Sequence, residues 1–327
     1  MEHSMNYGLS FDDVLIVPSY SDLDSRDEID LGVDLGFVHL DIPIMTSPMD
    51  SVTGIEMMDA IRRLGGIGIH HRYADIDLLV RAYHHGGIAV SPSMGLDWTN
   101  QIGDADRAYG VLVVDVAHGH TKKVIDYAAE LVKQGFNVMS GNIVTANAAE
   151  AYLDAGVNLL RVGVGPGAAC STRVVSGVGV PQFSAILEVA SACGEDAYVI
   201  ADGGIRYGGD IVKALVAGAS CVMVGRMVAG STEAPGMTEM VNGKWMKMFR
   251  GMASASALDE AGKERNVEGV SSMIPHEGSV AEILDQVIRG VRAGFGYVGA
   301  RNINELWAYA QFIQVSPLSI QESHPRI

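Results

Sequence analysis

Short apolar runs recur along the chain, at residues 42–47, 66–70, 87–91, 111–115, 137–141, 159–163, 198–202 and 220–225. Each is nearly continuous in Val, Ile, Leu, Ala and Met and is bounded by Gly, Pro or polar residues, as a parallel strand buried on both faces would be. Between most of them apolar residues fall at intervals of three and four, predicting helices over 55–64, 123–133, 146–155, 183–192 and 209–217. Eight strand-then-helix units predict an α/β fold, a single closed (β/α)8 TIM barrel. The competing arrangement, a doubly wound open sheet, would place a phosphate loop after the first strand, and none stands near Thr46.

The flanking segments predict additions to that barrel. Residues 1–40 are acidic, with Leu9-Ser-Phe-Asp-Asp-Val-Leu-Ile-Val-Pro18 as their one ordered segment, and predict a short hairpin capping one end. Beyond the eighth strand, 236–252 reads as a β-hairpin turning at Asn242-Gly243. Residues 253–272 are polar and rich in small side chains, and predict a mobile flap carrying Glu268-Gly269 as its acid or base, with a plain surface loop as the alternative. A helix over 280–293 and a tail over 316–327 complete the chain.

Composition narrows the function. A chain of 327 residues, 48% hydrophobic and 19% charged, is long enough for one barrel of roughly 250 residues with trimmings. A net charge of −16 disfavours a nucleic-acid partner, so any phosphate bound here is bound locally. Three cysteines, at 170, 193 and 221, lack paired metal spacing and fit a reducing compartment. No apolar run approaches the roughly 18 residues of a membrane span, and the N-terminus lacks a signal-peptide layout. The expectation is a soluble cytoplasmic protein with no membrane partner.

In a barrel, chemistry gathers where strands lead into helices. The polar groups at those ends are Ser47-Pro-Met-Asp50, His70-His-Arg-Tyr73, Asp115-Val-Ala-His-Gly-His120, Gly141-Asn142, Asp202-Gly-Gly204 and Gly225-Arg226. The sixth strand leads into Arg161-Val-Gly-Val-Gly-Pro-Gly-Ala-Ala-Cys-Ser-Thr-Arg173, where glycines let backbone approach a ligand and a thiol follows. Crowded N–H groups and Arg173 favour the thiolate, the nucleophilic form; a lone cysteine elsewhere would read as a packing residue. Glycines after the seventh and eighth strands, 203, 204 and 225, offer bare N–H groups to a phosphate, or make only tight turns.

These residues resemble the IMP dehydrogenase and GMP reductase barrels. The likeness runs from Phe11-Asp-Asp-Val-Leu15 to Glu322-Ser-His-Pro325 through Asp115-Val-Ala-His-Gly-His120, Gly141-Asn-Ile-Val-Thr145, Val162-Gly-Val-Gly-Pro-Gly167, Cys170-Ser-Thr-Arg173, Gly177-Val-Gly-Val-Pro-Gln182 and Ile200-Ala-Asp-Gly-Gly-Ile-Arg206. The resemblance implies that Cys170 attacks C2 of a purine nucleotide, GMP or IMP. It also implies that Asp202, Gly203, Gly204 and Gly225, with Arg226 beside them, hold ribose and phosphate, and that Gly251, Met252 and Ala253 hold the base. Asp115, Val116, Ala117, Val164 and Gly165, with Ser25 and Arg26, would contact a nicotinamide cofactor, NADPH or NAD. Carbonyls of Gly165, Gly167 and Cys170 would ligate K+, joined by Glu322, Ser323 and His324 from a neighbouring subunit of a homotetramer.

The flap favours the reductase branch. Dehydrogenases of this family carry a long flap with an Arg-Tyr pair that activates water; here only 15 residues separate Met252 from Glu268, without that pair. The segment Arg265-Asn-Val-Glu-Gly269 resembles the short reductase flap, in which Thr172 and Glu268 relay a proton to departing ammonia and Arg265 and Gly269 border the substrate. Residues 73–87 are also too few to hold an inserted regulatory domain. Three positions depart from the reductase pattern: His71 stands where the family has Lys, Arg226 replaces a small residue, and the Glu322-Ser-His324 tail is dehydrogenase-like. The alternatives are an IMP dehydrogenase with a short flap and a non-catalytic purine-nucleotide-binding barrel.

Overall fold

The computed structural model describes residues 7–108, 110–262 and 267–323. The strands β1 (Ile44–Thr46), β2 (Ile67–His70), β3 (Gly87–Val90), β4 (Val111–Asp115), β5 (Asn137–Ile143), β6 (Leu159–Val162), β7 (Tyr198–Asp202) and β8 (Cys221–Val224) close into a parallel barrel in chain order, β8 pairing back onto β1. The expected (β/α)8 architecture is thus present. Alternation along the strands sends Met45, Ile69, Val111, Val113, Met139, Ile200 and Met223 into the barrel, while Leu112, Val114, Leu160 and Val222 pack outward beneath the helices.

The outer ring is α1 (Ile55–Arg63), α2 (Ile76–Tyr83), α3 (Lys122–Lys133), α4 (Ala146–Asp154), a short loop helix α5 (Thr172–Ser176), α6 (Gln182–Cys193), α7 (Gly208–Val216), the single turn α8 (Arg226–Ala229), and two helices from the extension after β8, α9 (Ala255–Glu260) and α10 (Val280–Val298). After β3 the connection forms only 3-10 turns, broken by Pro92, Gly95 and Gly103; Trp98 and Ile102 fill the place of a helix there. Helix α10 packs between α7 and α1 and so takes the eighth position in the ring. It runs past the predicted end at 293 because Val291, Phe295 and Val298 continue its buried stripe across Gly294 and Gly296.

The capping hairpin expected within residues 1–40 is present, at its C-terminal end and not in the 9–18 segment. Val14–Val17 pairs antiparallel with the C-terminal strand Gln311–Gln314, while Val33–Asp34 and His39–Leu40 form the hairpin that caps the barrel. From that hairpin Leu35 and Leu40 close the barrel's N-terminal end, packing onto the interior layer. The predicted 236–252 hairpin is present as β9 (Glu239–Val241) and β10 (Lys244–Arg250), turned by Asn242 (φ 50°) and Gly243 (φ 77°), the paired positive φ that a type I′ turn needs. A third strand, β11 (Ser271–Pro275), pairs with β10, so the end of the expected flap is ordered sheet. The buried Lys247 on β10 donates to the carbonyls of Ser231 (2.9 Å) and Ala234 (2.5 Å), fastening this sheet to the segment that follows α8. Among the described residues no helix is long and apolar enough to cross a membrane.

Candidate active site

A cavity of about 1010 Å³ opens at the C-terminal ends of the strands. That volume lies at the top of the roughly 300–1,000 Å³ range of small-molecule sites and is ample for two ligand moieties. Its wall includes Cys170, Thr172 and Glu268; Asp202, Gly203, Gly204, Gly225 and Arg226; Gly251, Met252 and Ala253; and Asp115, Val116, Ala117, Val164, Gly165 and Gly167. The fold therefore brings together most residues singled out from the sequence. Ser25 and Arg26 are not in the wall: Arg26 lies over the Tyr297 ring near the end of α10. Glu322 and Ser323 sit on the exposed terminal helix Ser319–Ser323, and Arg265 and His324 fall outside the described residues.

Three side chains of the wall stand in a hydrogen-bonded run. The thiol of Cys170 donates to Thr172 Oγ1 at 3.2 Å, and the Thr172 hydroxyl donates to Glu268 Oε2 at 2.8 Å. Backbone pairing sets this register. Ser171 N donates to Glu268 O, Val270 N to Ala169 O, and Glu268 N to Ala253 O, so Gly269 bridges the Cys170 loop and the start of the flap. The Arg173 guanidinium faces the loop's own backbone, donating to the carbonyls of Val164 (3.1 Å) and Val180 (2.5 Å) and bracing the loop. Of the cysteines, Cys170 alone is exposed, while burial raises the thiol pKa values of Cys193 and Cys221.

Beside this run lies an ion-pair chain that the sequence reading did not assign. Arg161, buried on β6, reaches Asp115 Oδ1 at 2.5 Å and Asp202 Oδ2 at 2.9 Å. Asn142 Nδ2 also donates to Asp202 Oδ2 at 2.8 Å, and Arg72 pairs with the other oxygen of Asp115. The signal available was a charged residue inside the apolar run Leu159-Leu-Arg-Val162. Removing one partner of a buried pair leaves the others uncompensated, a loss of about 3–5 kcal/mol. Arg161→Met is expected to lower stability by that amount, read as a lower urea midpoint at unchanged slope.

After β7, Gly203 and Gly204 of the wall have φ of +90° and +80°, a backbone that glycine adopts without strain. Gln182 Nε2 holds the carbonyls of Val162 (2.9 Å) and Asp202 (3.1 Å) beneath them. Further wall residues came from an unassigned helix face: Glu282, Ile283, Gln286 and Val287 of α10, with Glu277 just before it. Their spacing of three and four was legible, but which face turned toward the cavity was not.

His71 stacks on His70 at 4.6 Å between ring centroids. Burial first, then the neighbouring His70, Arg250 and Arg72, push its pKa from 6.5 down to about 4, so a neutral imidazole stands beside two guanidinium groups. Because the folded state disfavours protonation, its stabilisation is whole above pH 6.5 and is lost as pH falls toward 4. The expected slope is up to roughly 1.4 kcal/mol per pH unit. Urea midpoints between pH 7 and 5 should show it, and His71→Gln should flatten the profile.

A sequence model of the IMP dehydrogenase / GMP reductase domain matches residues 8–84 and 88–326. The inosine-5'-monophosphate dehydrogenase of Aquifex aeolicus (strain VF5) is 47% identical over 65% of this chain and 46% of that protein. Those of Borreliella burgdorferi and Cryptosporidium parvum are each 33% identical over 97% of this chain, and over 96% and 94% of their own lengths. The chain thus aligns with about half of the Aquifex relative and with nearly all of the other two.

Proposed function

Because the chain belongs to the IMP dehydrogenase / GMP reductase family, we propose that it is a GMP reductase, converting GMP and NADPH to IMP, NADP+ and ammonia. The observation that carries this reading is the contact run from Cys170 through Thr172 to Glu268 under a flap with no Arg-Tyr pair. Its donor order gives the thiol proton a route through the Thr172 hydroxyl to the Glu268 carboxylate. The thiolate then bonds to C2 of guanine. Glu268 returns its proton through Thr172 to the C2 amine, which leaves as ammonia when the C–N bond breaks and leaves a thioimidate on Cys170.

Asp115, Val116, Ala117, Val164 and Gly165 would hold a nicotinamide at the far end of the cavity, whose chemistry is donation of a hydride to C2. Sulfur departs from the reduced carbon as thiolate and recovers a proton. Gly203, Gly204 and Gly225 present backbone to the 5′-phosphate, and Gly251 to Ala253 border the base. K+ on the Cys170 loop belongs to the same proposal, through the carbonyls of Gly165 and Cys170; that of Gly167 accepts the Cys170 N–H at 3.0 Å. The reading also makes the enzyme a cytoplasmic homotetramer, which sedimentation would detect.

The second reading is IMP dehydrogenase, favoured by the names of the relatives above and by the Glu322-Ser-His324 tail. Nicotinamide absorbance separates the two. Oxidation of NADPH with GMP, with stoichiometric ammonia, is the expected outcome; turnover confined to IMP with NAD would overturn it. A parallel arm with NADH tests the choice of reductant.

A further inference from the structure

Among the described residues four arginines line the cavity. Arg161 is held between Asp115 and Asp202, and Arg72 is paired with Asp115. Arg206 is fastened to Asp12 at 2.6 Å and to Asp210 at 3.1 Å. Arg226 differs from these. Both of its terminal nitrogens reach a single oxygen of Glu277, at 3.4 and 3.5 Å, beyond the 2.7–3.2 Å of a good N–H···O contact. The two side chains are about one-third exposed, 34% and 38%, so the pair can open without uncovering a buried charge.

The surroundings indicate what Arg226 is for. Next to it Gly225, Gly203 and Gly204 offer backbone and Ser47 beside Gly225 a neutral hydroxyl, while Ala168, Ile205, Met227 and Phe249 carry no hydrogen-bonding group. Among the described arginines of the wall, Arg226 is the one most loosely held and so the one an anion placed there would engage. Beyond Arg226 the wall turns acidic, with Glu277 and Glu282 both facing the cavity. Glu282 is committed to the start of α10, where it accepts from Ser279 N and Oγ at 3.0 Å, which leaves Glu277 as the carboxylate free to exchange.

We propose that Arg226 is the phosphoryl clamp of this site and that Glu277 is its built-in competitor, which the guanidinium exchanges for the 5′-phosphate of the incoming nucleotide. Guanidinium groups bind phosphate with two parallel donors, a geometry that the single Glu277 oxygen does not satisfy. In this arrangement a second phosphoryl group would extend past Arg226 toward Glu277 and Glu282 and meet like charge. This inference rests on the nucleotide reading of the cavity, and not on the direction of the reaction.

Calorimetric titration of GMP, GDP and guanosine into the full-length protein and its R226Q and E277Q variants tests the assignment, with circular dichroism melts to show that both variants fold. Arg226→Gln is expected to weaken GMP at least tenfold and guanosine less than twofold. Glu277→Gln, which removes the competitor, is expected to tighten GMP about threefold and GDP by more. If the ratio of GMP to guanosine affinity is the same in R226Q as in the parent, or if E277Q weakens GMP, the assignment is overturned. Phosphate-dependent binding that R226Q abolishes, in a protein that turns over neither GMP nor IMP, would uphold the clamp while removing the reductase. Turnover of GMP with its KM unchanged in R226Q would do the reverse.

Discussion

Cys170→Ala is expected to abolish the oxidation of NADPH by GMP, lowering kcat by roughly 10⁴-fold or more, the scale seen when a nucleophile is removed from a concerted catalytic unit. The reason is positional as well as chemical. Cys170 is the only exposed cysteine, it lies in the cavity wall, and its sulfur touches the hydroxyl that leads to Glu268. GMP should still bind, because the glycines at 203, 204 and 225 and the 251–253 segment are untouched by the substitution. Intact mass after mixing with GMP should show an adduct in the parent and none in the variant. Residual turnover within tenfold of the parent would exclude a covalent route through this sulfur.

Glu268→Gln is expected to lower kcat by about 10²–10⁴, the usual contribution of a placed acid or base. The amide is nearly the shape of the carboxylate and can still accept the 2.8 Å contact from Thr172, but it cannot take up the proton released by the thiol. Thr172→Val cuts the same route at its middle. If the two residues act as one relay, the double variant is no slower than the slower single variant, the non-additivity of residues that share one task. Multiplying effects would mean that the contact is only structural.

Much of this arrangement was legible in the residues because parallel strands buried on both faces leave a strong trace. Val111-Leu-Val-Val-Asp115 is apolar up to the residue where it emerges into the cavity, and that pattern recurs around the barrel. The Cys170 loop and Gly203-Gly204 were legible for a different reason, since glycine density marks backbone that must bend or be approached. What stayed hidden depended on pairing between distant segments. Val14–Val17 looks self-sufficient until Gln311–Gln314 comes beside it, and Ser271-Ser-Met-Ile-Pro275 has little strand character without β10 as its partner. Arg161 escaped because a single charge in an apolar run gives no clue to its partners, here 46 and 41 residues away at Asp115 and Asp202. Ser25 and Arg26, matched to a motif, lie outside the wall of this chain's own cavity.

The hairpin whose Leu35 and Leu40 stopper the lower end of the barrel has a consequence for traffic. The layer of Met45, Ile69, Met139 and Met223 above it is wholly buried and fills the barrel interior, so guests enter and leave on the side of the strands' C-terminal ends. Loading and discharge therefore share one queue, and the deepest guest departs last.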